Sequence, residues 1–219
     1  MDDALAALLV ASPGSGPPGS PNLSSRFSAA PLCFAPVRRV SVVGSSGAGK
    51  STLARAIANR LGVPFVELDA YMHQPGWRPR PDDEFMQEVD RATSGAGWVV
   101  DGNYKKFVIE GPVWQRADTV VWLDLPRRTV MRQVIARTVR RAVTREVLWN
   151  GNREPLANFV SLDPDDNIIL WSWVKYHEFV QRYLDAMADP RWRDINFVRL
   201  RSHEEAKRWL GSIEAAGAG

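Results

Sequence analysis

Apolar positions switch between a period near two and a period near 3.6 along most of this chain. Val40, Val42 and Val43 form a β-branched run that reads as a strand. From Thr52 to Leu61 the spacing of Leu53, Ile57 and Leu61 predicts one apolar helical face. Val63 to Asp69 reads as a short buried strand ending in an acid. Residues 70–81 are rich in Pro and Gly and read as a loop carrying Tyr71, His73 and Trp77. Asp82 reads as the N-cap of a helix with Phe85, Met86 and Val89 inward, ended by Gly95 and Gly97. Further strands are predicted at Trp98–Asp101, Thr119–Asp124 and Asn196–Leu200. A long helix is predicted from Arg127 to Leu148, polar irregular chain over 149–168, and helices from Ile169 to Met187 and from Glu204 to Ile213. Alternating strands and helices imply an α/β fold with a parallel sheet and helices on both faces. Ligands in such sheets bind beyond the strand C-terminal ends, where Asp69, Asp101 and Asp124 fall.

Between the first strand and the first helix the chain reads Gly44-Ser45-Ser46-Gly47-Ala48-Gly49-Lys50-Ser51-Thr52, matching G-x-x-x-x-G-K-[ST] at every fixed position. The glycines let the backbone curl so that successive N–H groups point at phosphate oxygens. Lys50 is placed to reach the β- and γ-phosphates of a nucleotide, and the Ser51 hydroxyl to bind Mg²⁺. The helix that follows adds its N-terminal dipole. Strand, loop and helix in this order are the context the motif requires. The alternative reading is a Gly/Ser-rich turn.

Composition changes the picture at the N-terminus. Ala11 to Pro21 consists only of Ala, Ser, Pro and Gly, cannot bury a core, and reads as disordered. Asp2 and Asp3 stand where a secretory signal needs positive charge. Residues 1–36 therefore read as a disordered, dispensable leader. Cys33, the single cysteine, excludes an intramolecular disulfide, and a reducing cytoplasm is the expected compartment. There is no apolar run long enough to span a bilayer. A net charge of +3 on 219 residues selects no partner.

Four groups of residues could carry chemistry. Asp101 is the candidate companion to Ser51 in a Mg²⁺ shell, through water; a turn or capping aspartate is the alternative reading, and Asp124 is the weaker candidate for the same role. Asp69 lies one strand over, where it could position an acceptor hydroxyl or take its proton. His73 and Trp77 could line an acceptor pocket. Arg137 and Arg141, four residues apart on one helical face that Arg145 continues, could neutralise charge on a transferred phosphoryl group. A solvated or nucleic-acid-binding helix face is the alternative.

Together these segments resemble the small P-loop kinases related to adenylate kinase, and most closely the subgroup often labelled DNA topology modulation protein-like. The resemblance spans Val37 to Leu210. It rests on the phosphate loop, on Glu67-Leu68-Asp69 with the Pro75-Gly76-Trp77 turn, on Trp98 to Tyr104, and on Ala117 to Asp124 before an arginine-rich helix. It implies a P-loop NTPase three-layer sandwich with five parallel strands, a kinase domain over 37–215, ATP with Mg²⁺, and a mobile lid over about 137–168. Arg137 matches the arginine that opens the lid, and Asp101-Gly102 matches the family's Asp-Gly. Adenylate kinases continue Phe-Pro-Arg, whose arginine holds the AMP phosphate; here Asn103-Tyr104-Lys105 stands instead. Leu68 to Met72 likewise replaces their Thr-Gly-Asp stretch. The resemblance therefore does not carry AMP over as acceptor. Asn103 and Lys105 become candidate acceptor residues, Lys105 as a point charge. The expected activity is ATP-dependent phosphorylation of a small molecule, a nucleoside or nucleotide among the candidates. The competing expectation is a nucleic-acid-binding regulator switched by ATP, and ATP hydrolysis coupled to movement ranks last.

Overall fold

The computed structural model describes residues 37–154, 163 and 167–213. The expected leader (1–36), most of the second half of the expected lid (155–162 and 164–166) and residues 214–215 lie outside the described residues. The β-branched run forms β1 (Arg39–Gly44), whose three valines are completely buried. It is the central strand of a five-stranded sheet with β2 (Phe65–Glu67), β3 (Trp98–Asp101), β4 (Thr119–Leu123) and β5 (Asn196–Leu200). The order is β2-β3-β1-β4-β5, and every pairing is parallel. The chain fills one side of β1 first and then crosses to the other. The C-terminal end of β1 therefore opens between connections that diverge, the place where such sheets bind ligands.

Strand side chains alternate between two apolar layers. Val43, Trp98, Val100, Val120 and Trp122 face one layer; Val40, Val42, Val99, Val121 and Leu123 face the other. The first layer is covered by α2 (Leu68–Met72), α3 (Asp82–Ala92), α4 (Lys105–Val108), α5 (Pro112–Arg116) and α7 (Ile168–Ala188). The second is covered by α1 (Lys50–Leu61), α6 (Arg127–Thr144) and α8 (His203–Ser212). Many of the tryptophans build the first layer. Trp114 packs edge-on against Trp192 and Phe197, with ring centroids 5.7 and 5.5 Å away. Its indole N–H donates to Ser41 Oγ at 3.2 Å, which satisfies the one hydroxyl between the valines of β1.

Several boundaries differ from the predicted ones. β2 ends at Glu67, and Leu68 begins α2, because Leu68 and Met72 bury one helical face. Asp69 thus sits in a helical first turn rather than at a strand end. Pro81, not Asp82, occupies the cap of α3; Asp82, Asp83 and Glu84 fill the first turn, where the helix dipole favours them. α6 stops at Thr144 because Arg145 turns left-handed, with φ 50°. α4 and α5 are too short to leave a periodic signal.

Trp114→Ala is expected to destabilise the fold by about 3–5 kcal/mol, since it opens a cavity and leaves the Ser41 hydroxyl unpaired. Urea unfolding monitored by fluorescence measures this; a loss near zero would contradict the packing described.

Candidate active site

The phosphate loop is shaped by backbone conformations that side chains resist. Gly47 and Gly49 have φ of 81° and 92°. A Cβ on Gly47 would also lie 2.2 Å from Val134 Cγ2 of α6, so this glycine lets α6 pack on the loop. The loop closes by Ala48 N–H donating to Ser45 O at 3.1 Å, and Gly49 caps α1 without a side-chain bond. The first N–H groups of α1 have no partner within the helix and are available to an anion. Ser45, Ser46, Ser51 and Thr52 complete the sequence-predicted loop in this position.

Asn103 is engaged elsewhere than predicted. Its amide donates to Gly44 O at 2.7 Å, and its oxygen accepts from Gly44 N at 3.4 Å and from Tyr183 O–H at 2.9 Å. Both ends of the amide are used to hold the first residue of the phosphate loop. An asparagine at a strand end gives no sequence signal for such a brace. Lys105 is also turned away from its expected role: it pairs with Glu110 at 3.0 Å on a side chain 57% exposed.

Charged groups from four elements converge on the loop. Lys50 donates to Ser45 O at 3.2 Å. Burial of its ammonium group lowers its pKa, while Asp101 and Asp69 pull it up and Arg137 pushes it down further. Asp101, at the end of β3, is only 5% exposed. Burial raises its pKa; Lys50 and a hydrogen bond from Ser51 oppose that rise. Asp101 Oδ1 has no hydrogen-bond partner. A buried carboxylate oxygen without a partner, beside the phosphate-loop serine, fits a Mg²⁺ shell completed by water and phosphate. Among the described residues no cluster of three metal-ligating side chains exists, so the protein alone would supply few of the ligands. Arg137 Nη2 donates to Ser46 Oγ at 3.2 Å, and burial with the neighbouring Arg141 lowers its pKa. Arg141 donates to Glu154 Oε1 at 2.6 Å. The Nε atoms of Arg137 and Arg141 and Glu154 Oε2 are buried without partners.

Asp69 Oδ1 accepts from Tyr104 O–H at 2.6 Å. Burial and the adjacent Asp69 carboxylate raise the Tyr104 pKa, so its proton stays on the phenol and orients Asp69. Residues 149–152, Trp-Asn-Gly-Asn, dock on the loop that follows α2. Asn150 donates to Ala70 O and His73 O at 2.9 and 2.6 Å. Asn152, 5% exposed, accepts from Gly76 N and Trp77 N at 2.8 and 3.1 Å and donates to Gln74 O at 2.9 Å. Trp77 Nε1 donates to Arg153 O at 2.9 Å. His73, Trp77 and Trp149 form a ring cluster with centroid spacings of 5.2, 5.8 and 6.3 Å. Burial raises the Glu67 pKa, and the nearby Trp149 indole opposes that rise. Sequence reading treated 149–168 as irregular and missed Trp149, Asn150, Asn152 and Glu154; two asparagines flanking a glycine after a helix were the available signal.

The other candidates resolve by their partners. Asp124 accepts from Arg199 Nε at 2.8 Å and is committed to that pair. Within the arginine run, Arg127 lies 3.4 Å over the Trp173 ring and Arg140 pairs with Glu146 at 3.0 Å. Arg137 reaches the loop and Arg141 pairs with Glu154, so these four arginines go to separate partners.

A family model for "ATPase family associated with various cellular activities (AAA)" matches residues 40–100, the segment from β1 to β3 that contains the loop. A putative adenylate kinase of Thermococcus gammatolerans is 29% identical over 140 residues, covering 59% of this chain and 73% of that protein. The chain is a kinase similar to the small P-loop kinases related to adenylate kinase. A cytidylate kinase of Nitratidesulfovibrio vulgaris is 35% identical over 65 residues, 30% of this kinase and 28% of the relative. A shikimate kinase of Ruegeria pomeroyi is 30% identical over 107 residues, 39% of this kinase and 55% of the relative. The kinase thus spans about half or less of the latter two relatives.

Asn103→Ala is expected to weaken ATP binding about tenfold, because the Gly44 end of the loop loses both side-chain bonds. Calorimetric titration measures this, and unchanged affinity would contradict the brace. Gly47→Ala is expected to abolish ATP binding or fold poorly, given the 2.2 Å contact with Val134; a variant that binds ATP normally would contradict the geometry.

Proposed function

We propose that this kinase transfers the γ-phosphoryl group of ATP to a hydroxyl of a small molecule held beside Asp69. The observation that carries the reading is convergence: Lys50 from α1, Asp69 from α2, Asp101 from β3 and Arg137 from α6 interact electrostatically around one phosphate loop. Lys50 and the N–H groups of residues 44–52 hold the phosphates. Ser51 and Asp101 would hold Mg²⁺, which when bound would neutralise charge on the phosphates. Arg137 and Arg141 stabilise the charge spread over the three phosphoryl oxygens in the transition state. The acceptor oxygen forms its bond to phosphorus as the bond to the ADP oxygen breaks, and the hydroxyl proton passes to Asp69. Tyr104 orients that carboxylate, and Glu154 orients Arg141.

The relatives' names cover nucleotide and non-nucleotide acceptors, so they leave the acceptor's class to the site itself. Among the described residues no helix is long and apolar enough to cross a membrane.

With Mg²⁺ and ATP at a hundred times its Kd, thermal or urea unfolding is expected to show a stabilisation of about 2.7 kcal/mol. Lys50→Ala is expected to lose it. Wild-type behaviour of Lys50→Ala would overturn the reading. Asp69→Asn is expected to lower kcat about tenfold to a hundredfold, with the KM for ATP unchanged. Equal loss of ATP affinity would place Asp69 on the donor side instead.

A further inference from the structure

The proposed phosphoryl transfer leaves open what the acceptor carries besides its hydroxyl, and the charges around Asp69 bear on that. Glu67 and Asp69 lie two residues apart where β2 meets α2. The Trp149 indole acts on the Glu67 carboxylate, and Tyr104 hydrogen-bonds Asp69. The carboxylates feel one another and feel Asp101, whose buried Oδ1 has no hydrogen-bond partner. Two carboxylates and several rings are therefore the fixed furniture here.

Anionic acceptors need a cation, and the nearby cations are engaged elsewhere. Arg80 donates to Tyr71 O at 2.8 Å and pairs with Glu84. Arg78 turns to Pro75 O, Lys105 to Glu110, Lys106 to Asp82 and Arg153 to Arg145 O. Arg55 approaches Glu67 at 3.6 Å, but it is 60% exposed and stacked on Phe65. Lys50 and Arg137 act at the phosphate loop and serve ATP. Arg141 lies 6.0 Å over the Trp149 ring, but its charge is met by Glu154 at 2.6 Å. A second phosphate or carboxylate brought to Asp69 would meet the Glu67 and Asp69 carboxylates with no cation left uncommitted among the described residues named above, which costs affinity in a partly desolvated site.

We propose that the acceptor is a hydroxyl compound lacking phosphate and carboxylate groups, neutral or bearing an ammonium group, recognised by Glu67 and Asp69 beside Trp149. This rests on the phosphotransferase reading and narrows it. Nucleoside monophosphates and sugar acids are excluded as acceptors; nucleosides, polyols and amino alcohols remain. The hydroxyl donates to Asp69, and Glu67 takes a second hydroxyl or the ammonium group. The ring cluster supplies the apolar wall.

Calorimetry on the full chain with Mg²⁺ tests this with two probes, ATP and diadenosine pentaphosphate. The second probe carries an adenylate phosphate beyond the ATP phosphates. A site with an anionic acceptor pocket gains from that extension, as linked ligands do. Here the two probes are expected to bind within about threefold of each other. Pentaphosphate binding about a hundredfold tighter than ATP would overturn the inference. If neither probe binds, the kinase reading falls and this inference with it; ATP binding alone keeps the two separable. Glu67→Lys is expected to tighten the pentaphosphate about tenfold relative to ATP, because attraction replaces repulsion. Glu67→Gln, nearly isosteric, should move it the same way by less, and serves if the lysine variant misfolds. No change in either folded variant would show that Glu67 does not face the acceptor, and the proposal would fail.

Discussion

An ammonium group and a carboxylate, both largely desolvated, face the same phosphate loop, and the rest of the site is arranged around them. Burial pushes Lys50 and Asp101 toward their neutral forms, and their mutual attraction opposes it. Charge buried without full compensation is costly to the protein by itself. A nucleotide phosphate would supply Lys50 with a partner, and a divalent cation would supply one for the unpaired Asp101 oxygen. Function and stability pull against each other here, which is usual where a site is built to be completed by its ligand.

The sheet order makes this convergence possible. Placing β1 between β3 and β4 brings Asp101 into register with Val42 and beside the loop that leaves β1. The loop is then held from both sides. Asn103, from the chain just after β3, grips Gly44. Val134 of α6 fills the space that a side chain at Gly47 would need. α6 is therefore packed against the phosphate loop. Its exit, Trp149 to Asn152, is bonded to the chain after α2. Donor side and acceptor side are joined through one helix and its exit turn.

Much of this was legible in the residues. The phosphate loop has a fixed spacing, and β1, β3 and β4 are continuous apolar runs, so strand, loop and site end of the sheet could be read directly. Asp101 was legible because an acid closes an otherwise apolar strand. Side-chain destinations were not. Asn103 and Lys105 lie where related kinases hold an acceptor phosphate, yet one binds backbone and the other binds Glu110. Asp69 reads as a strand end because Val63 to Val66 is apolar, whereas Leu68 and Met72 recruit it into a helix. The Trp-Asn-Gly-Asn clasp has no periodicity; its bonds run to residues 75 to 80 positions away, and pairing at that separation leaves no local trace.

The central claim is that Asp101 and the phosphate loop act on the metal form of ATP. The most direct measurement is the affinity of ATP with and without Mg²⁺, in the wild type and in Asp101→Asn. The account predicts that Mg²⁺ strengthens binding about tenfold or more in the wild type. It predicts that Asp101→Asn removes that increment while metal-free affinity holds. An increment that survives intact in Asp101→Asn would contradict the account.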